Sequence, residues 1–116
     1  MNHERLTMDQ ELKQRWLEAL RSGEYLQGTD RLRNGNTFCC LGVLCDIVDP
    51  NGWASPNEMG DRMYVNTEDL TNCEFEVPKT LADKIKLKNE HQVYLSNIND
   101  HGSSFEEIAD WIEGNL

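Results

Sequence analysis

The sequence predicts an α+β fold, organised as a single compact domain over residues 1–116. Its expected parts are an N-terminal helix, a central buried helix, a small antiparallel sheet and a C-terminal helix. Segments near both ends carry apolar residues at helical spacing, residues 38–48 are almost wholly apolar, and short segments of alternating polarity follow them. A second domain is not expected, because in 116 residues it would be too small to hold a core.

The first helix is predicted to run from about Met8 to Ser22. Thr7 and Gln10 have the spacing of a capping box, and Gly23 is well placed to end the helix in a left-handed conformation. The apolar face of this helix comprises Leu12, Trp16, Ala19 and Leu20. Such a face is expected to pack against the core.

The next segment is expected to be extended, to turn tightly and to enter a second helix. Asn34-Gly35 is a strong hairpin signal, because both residues tolerate positive φ. The run from Phe38 to Val48 is predicted to be the central helix, since it is apolar on nearly every side. A buried strand is the alternative for so short a run. Gly42 weakens a helix from its middle, so we expect it to permit a close backbone contact.

The second half of the chain predicts two short strands and further helices. Alternating polarity places the strands at Met63–Val65 and Cys73–Val77, and Pro78 would start a short helix. Ser103 or Ser104 would cap the last helix, because a glutamate follows each of them at capping-box spacing. The buried stripe of that helix is predicted to be Phe105, Ile108, Ala109 and Ile112.

The charge distribution argues against nucleic-acid binding. The net charge is −10; residues 1–47 carry six basic and seven acidic groups, whereas residues 48–116 carry five basic and fourteen acidic ones. Nucleic-acid binding needs a basic field, which the second half does not supply. A membrane span is not expected either, because the longest apolar run has 11 residues and a span needs about 20. The N-terminus lacks the pattern of a secretory signal, so we expect a cytoplasmic location.

The cysteines are expected to be reduced and structural. Cys39, Cys40 and Cys45 lie in the apolar run, where a free thiol behaves as a small hydrophobic side chain. The spacing of the four cysteines does not match a zinc site, so neither a metal nor another cofactor is expected. The enzymatic alternative is a cysteine hydrolase, in which Cys39 or Cys40 is the nucleophile and His91 or His101 the base.

The best candidate binding site lies around Arg31 and Arg33. These arginines precede residues 34–37, which lead into the predicted central helix, so guanidinium groups and free backbone N–H groups would converge on an anion. The candidate ligand-binding residues are Arg31, Arg33, Asn36, Thr37, Trp16, Tyr25, Asn99 and Asp100. The alternative is that the arginines pair with the abundant acids. Asp46, a lone charge in the apolar run, either points out of the core or forms a buried pair with Arg31 or Arg33.

Two motifs carry a resemblance to known proteins. The first is the run FCCLGVLCD from Phe38 to Asp46, preceded by Gln27-Gly28 and a basic stretch. The second joins Asn99-Asp100 to Gly102, Ser104-Phe105 and Ile108-Ala109. Together they resemble a family of small uncharacterised proteins that is widespread in bacteriophage genomes. The resemblance covers roughly the first 50 and the last 25 residues.

The resemblance implies a phage accessory protein that counters host defence in the cytoplasm of the bacterial cell. The leading hypothesis is a non-enzymatic binder that sequesters a small anionic, nucleotide-type ligand such as an immune signal. The alternative is a direct protein–protein inhibitor that binds a host defence protein through its acidic surface, and the cysteine hydrolase is third. Assembly into a homo-oligomer stays open.

Overall fold

The computed structural model describes residues 8–66 and 71–116 and confirms the predicted α+β fold. In these ranges the helices are α1 (Gln10–Arg21), α2 (Cys40–Val48), α3 (Lys79–Ile85), α4 (Asn89–Asp100) and α5 (Phe105–Asn115). The strands are β1 (Leu26–Gln27), β2 (Arg33–Asn34), β3 (Thr37–Phe38), β4 (Tyr64–Asn66) and β5 (Thr71–Cys73). None of the helices in the described ranges is long and apolar enough to cross a membrane.

The N-terminal helix is close to its predicted position. Asp9 is its N-cap, because the Asp9 carboxylate accepts a hydrogen bond from the Leu12 N–H at 3.0 Å. Thr7, the predicted cap, lies outside the described residues. Gly23 has a φ of +78°, which confirms its predicted role at the end of the helix. The buried face of α1 packs against α5 and α2.

The central segment is a helix and not a strand. It begins at Cys40, two residues later than predicted, because Phe38 pairs with Arg33 in the sheet. A Cβ atom at Gly42 would lie 1.8 Å from the Leu32 carbonyl oxygen, so the expected close backbone contact is confirmed. This contact seats α2 directly on the chain that leads into β2.

The five strands of the described ranges form two small sheets. In the first sheet β3 lies in the centre, antiparallel to β2 and parallel to β1. The predicted hairpin is present, with Gly35 and Asn36 as its two loop residues and a φ of +56° at Gly35. In the second sheet β4 is antiparallel to β5.

The predicted strand at Cys73–Val77 was wrong, because β5 ends at Cys73. The Glu74 carbonyl accepts a hydrogen bond from the Leu32 N–H at 2.8 Å, which draws the chain away from β4 and towards the first sheet. As a result Phe75 is exposed while Val77 is buried, although alternation predicted that both would face the same side.

The last helix agrees with its prediction. Ser104 is the N-cap, and its hydroxyl accepts a hydrogen bond from the Glu107 N–H while the Glu107 carboxylate accepts one from the Ser104 N–H. The four residues of the predicted stripe are all buried.

Candidate functional site

Arg33 on β2 and Arg62 on the segment beside it form a pair of neighbouring guanidinium groups. The Arg62 N–H donates to the Arg33 carbonyl at 3.0 Å, which holds the two backbones together. Each side chain makes one hydrogen bond through its Nε, from Arg33 to the Gly35 carbonyl and from Arg62 to the Ala54 carbonyl, both at 2.8 Å. The terminal nitrogens of both groups make no hydrogen bond or ion pair with the residues that the structure describes.

A row of aromatic rings supports the pair. Tyr25, Phe38, Trp53 and Tyr64 contact each other edge to face, with centroid separations of 5.0, 5.9 and 5.1 Å. The Arg33 guanidinium lies 4.8 Å from the Phe38 centroid and 5.5 Å from that of Trp53. These cation–π contacts hold Arg33 in place without neutralising it. Burial lowers the pKa of Arg33 and the positive charge of Arg62 lowers it further, while the negative charge of Asp46 raises it in part.

Asp46 is half-buried and is bound by neutral donors, so of its two predicted arrangements the buried pair with Arg31 or Arg33 does not form. The Tyr25 hydroxyl donates to its carboxylate at 2.6 Å and the Trp53 Nε1–H at 2.9 Å. Burial raises the pKa of Tyr25, and its hydrogen bond to Asp46 raises it further, so the phenol remains protonated. We call Arg33, Arg62, the four rings and Asp46 the arginine–aromatic cluster.

Arg31, the other predicted anion ligand, is engaged elsewhere. Its Nε lies 2.8 Å from a Glu74 carboxylate oxygen and 3.4 Å from one of Asp61, and its guanidinium lies over the Phe75 ring. The alternative that the arginines pair with acids is therefore confirmed for Arg31 and not for Arg33. Arg31 offers an incoming anion much less free charge than Arg33 does.

The N–H groups expected near Thr37 are not at a helix start, which corrects the predicted site. Thr37 lies in β3, and its hydroxyl donates to the Asn34 carbonyl at 2.9 Å. The true helix start is occupied, because the Cys40 N–H donates to the Asn99 side chain at 3.2 Å and the Gly42 N–H to the Cys39 sulfur. Asn36, in the hairpin loop, is exposed.

Trp16 is not available for stacking, although the sequence suggested that role. Its side chain is completely buried, and its Nε1–H donates to the Cys40 carbonyl at 2.9 Å. It anchors α1 on α2. Tyr25 is half-buried and lies in the arginine–aromatic cluster, as described above.

Asn99 and Asp100 connect α4 to the chain around β1. The Asn99 amide donates to the Gly28 carbonyl at 2.9 Å, and its oxygen accepts from Gln27 Nε2 at 3.0 Å as well as from the α2 start. The Asp100 carboxylate accepts from the Asp30 N–H at 3.0 Å. Both side chains therefore hold the fold together at this junction, and Asn99 has almost no exposed surface.

The cysteines have the surroundings of structural residues. Burial raises the pKa of Cys39 to about 11, and it also raises the pKa values of Cys40 and Cys45. A nucleophilic thiol needs the opposite shift. The His101 ring contacts the Asn97 carbonyl at 2.7 Å, on the exposed end of α4. In the described ranges no group of three His, Cys, Asp or Glu side chains is arranged to hold a metal ion.

Comparison with protein families gives one decisive match. The family described as "Domain of unknown function (DUF8296)" matches residues 8–116. The chain belongs to this family. No curated protein and no solved structure matches it.

This DUF8296 chain also carries a broad groove between α4 and the segment after β5. The groove has a volume of about 590 Å³. Its lining residues are Phe75, Glu76, Glu90, Gln92, Val93, Tyr94, Ser96, Asn97 and Asp100. None of these is basic, so the groove is unsuited to an anion and separate in character from the arginine–aromatic cluster.

Sequence reasoning missed Arg62 as a member of the site. It lies 29 residues after Arg33 in the acidic part of the chain, and the two segments come together in the fold through the Asn34–Asp61 bridge and the hydrogen bond from the Arg62 N–H to the Arg33 carbonyl. One signal was present: Arg62 is the sole basic residue between Arg33 and Lys79. In an acidic segment of this kind, an isolated arginine is a candidate for a binding residue.

Proposed function

We propose that this DUF8296 protein is a bacteriophage accessory protein that sequesters a small anionic, nucleotide-type ligand in the cytoplasm of the infected cell. Arg33 and Arg62 would bind the anionic group. The observation that carries the proposal is their pair of neighbouring guanidinium groups, whose terminal nitrogens have no partner among the described residues. The resemblance of the two sequence motifs to phage proteins supports the accessory role, and an immune signal is the expected ligand class.

The electrostatic argument concerns where an acidic protein can hold an anion. A net charge of −10 repels anions at long range, so binding requires local donors that acids do not neutralise. Arg31 is paired with Asp61 and Glu74, whereas Arg33 and Arg62 are not paired. Guanidinium forks bind phosphate oxygens through two parallel hydrogen bonds. The charge needed for binding is therefore concentrated on these two residues.

The aromatic part of the cluster suggests a base as well as a phosphate. Phe38, Trp53 and Tyr64 are buried, whereas Tyr25 is only half-buried. A nucleobase would stack on this ring, a contact worth roughly 1–3 kcal/mol in nucleic-acid complexes. The hydrogen bond from Tyr25 to Asp46 holds the ring in a fixed orientation before the ligand arrives.

Isothermal titration calorimetry tests this function. The panel of ligands comprises ATP, a cyclic dinucleotide, ADP-ribose and inorganic phosphate. We expect at least one nucleotide to bind, and Arg33→Ala and Arg62→Ala each to weaken it by roughly ten- to a hundredfold, the loss of one charge-assisted contact. Arg31→Ala is the matched control, because it removes the same charge from the adjacent segment. If binding is absent throughout the panel, or is lost equally in the Arg31 variant, the proposal fails.

A direct protein–protein inhibitor is the second candidate. The observation that favours it is the strongly acidic second half of the chain, which holds the groove described above. Native mass spectrometry of protein isolated from infected cells separates the two candidates. A retained small mass supports sequestration, whereas a co-purified host protein supports inhibition.

A further inference from the structure

We infer that the groove between α4 and the segment after β5 is a docking site for a basic, amphipathic segment of a partner protein. This inference deepens the second candidate function and rests on it, but it is independent of the arginine–aromatic cluster. Three features of the groove support it: exposed apolar side chains, an acidic rim and rigid walls.

The groove exposes more apolar side chain than is usual for a surface that contacts only water. Phe75, Val93 and Tyr94 are 55%, 62% and 43% exposed, and all three line the same concavity. Apolar side chains scattered singly over a surface are normal, but several that converge in one groove mark an interaction site. The apolar face of an amphipathic segment would cover them.

The rim of the groove determines the charge of that segment. Glu76 stands on one wall, and Glu90 and Asp100 stand at the two ends of α4 on the other. Among the residues that the structure describes, no lysine, arginine or histidine lines the groove to balance them. The Arg31 guanidinium lies 4.6 Å from the Phe75 centroid, but its charge is balanced by the carboxylates of Glu74 and Asp61, which lie 2.8 and 3.4 Å from its Nε. Lysine or arginine side chains on the partner would supply the missing charge.

The walls are held in place before any partner binds. The Gln92 side chain, itself buried, accepts a hydrogen bond from the Val77 N–H at 2.9 Å and so fixes the segment after β5 against α4. Tyr94 packs on Trp111 with their ring centroids 4.7 Å apart. A preformed groove loses little conformational entropy when it binds, so it can hold one specific partner more tightly than a flexible acidic surface would.

Fluorescence anisotropy with a labelled 14-residue peptide tests the site. The probe contains only leucine and lysine, with leucine at the i, i+3, i+4 and i+7 positions of a helix. Two matched peptides serve as controls: one has the same composition in scrambled order, and the other keeps the leucine pattern but replaces lysine with glutamate. We expect the first probe to bind at least tenfold more tightly than either control, and more weakly as salt is raised.

Variants of the protein locate the binding. Val93→Ser and Phe75→Ser should each lower the affinity for the probe about tenfold, because each removes the contribution of one buried apolar side chain. Val93 is exposed on a helix, so its variant is expected to fold. Met59→Ser is the matched control, because Met59 is also exposed but does not line the groove. Glu90→Gln should lower the affinity for the probe and make that affinity less dependent on salt concentration.

Several outcomes would overturn the inference. Equal binding of the three peptides would mean non-specific adsorption, and unchanged affinity of the Val93→Ser protein would place the site elsewhere. Self-association that Val93→Ser abolishes would show that a second copy of the chain occupies the groove. The nucleotide panel should give the same result with Val93→Ser as with the unaltered protein, so failure of the groove and failure of the arginine–aromatic cluster can be told apart.

Discussion

The buried side chain of Asn99 provides the sharpest test of the structure, because the sequence suggested a ligand-binding role and the structure assigns it a structural one. Replacing it by alanine leaves the fully buried Cys40 N–H without its acceptor and the half-buried Gly28 carbonyl without its donor. A buried polar group left without a partner costs about 1–3 kcal/mol. The Cys40 group should incur the larger cost, and water can partly satisfy Gly28, so we expect Asn99→Ala to lower the free energy of unfolding by about 3 kcal/mol.

Urea unfolding followed by tryptophan fluorescence measures this change. For a domain of this size the denaturant slope is about 1–3 kcal/mol per molar, so the midpoint should fall by roughly 1–3 M. Asn97→Ala is the matched control, because Asn97 is exposed on the same helix and its variant should stay within about 0.5 kcal/mol of the unaltered protein. If Asn99→Ala unfolds at the same urea concentration as Asn97→Ala, the assigned hydrogen bonds do not stabilise the fold.

Three further predictions concern stability. Gly42→Ala would place its Cβ 1.8 Å from the Leu32 carbonyl oxygen, so we expect a loss of at least about 3 kcal/mol in the same assay, and a loss below 1 kcal/mol would contradict the close contact. Ser104→Ala removes one half of the capping box and should cost about 1 kcal/mol, whereas Ser103→Ala should have little effect. The third concerns pH: burial raises the pKa of Cys39 to about 11 from an ordinary 9.0. The thiol therefore ionises at lower pH in the unfolded chain than in the folded one, so the stability gained by burying the neutral thiol is fully present below pH 9 and is lost as the pH rises towards 11. Unfolding free energies measured from pH 7 to 11 should fall above pH 9, and less steeply in a Cys39→Ala protein; a flat profile would speak against burial of the thiol.

Those parts of the fold that depend on neighbouring residues in the chain were predictable from the sequence. The periodic apolar residues of α1 and α5, the turn at Gly35 and the cap at Ser104 all reflect interactions within a few residues, and each was confirmed. Gly42 was predictable for a similar reason, since a glycine in the middle of an apolar helix indicates a close contact even when its partner is unknown.

The ends of the short strands depended on more distant contacts. A three-residue strand has few hydrogen bonds of its own, so its limits are set by the segment with which it pairs. At Glu74 the chain binds the Leu32 N–H instead of continuing along β4, and no local pattern encodes that choice. The alternation from Cys73 to Val77 was therefore misleading.

The composition of the candidate site was decided by the tertiary structure alone. The sequence located an anion-binding segment near Arg33, but the same reasoning selected Arg31, whose charge is balanced by acids 30 and 43 residues further along the chain. Arg62 joined the site from an equally distant segment. Whether an arginine is free or paired depends on which carboxylates lie within a few ångströms, and for an acidic chain with 21 such groups only the folded arrangement determines that.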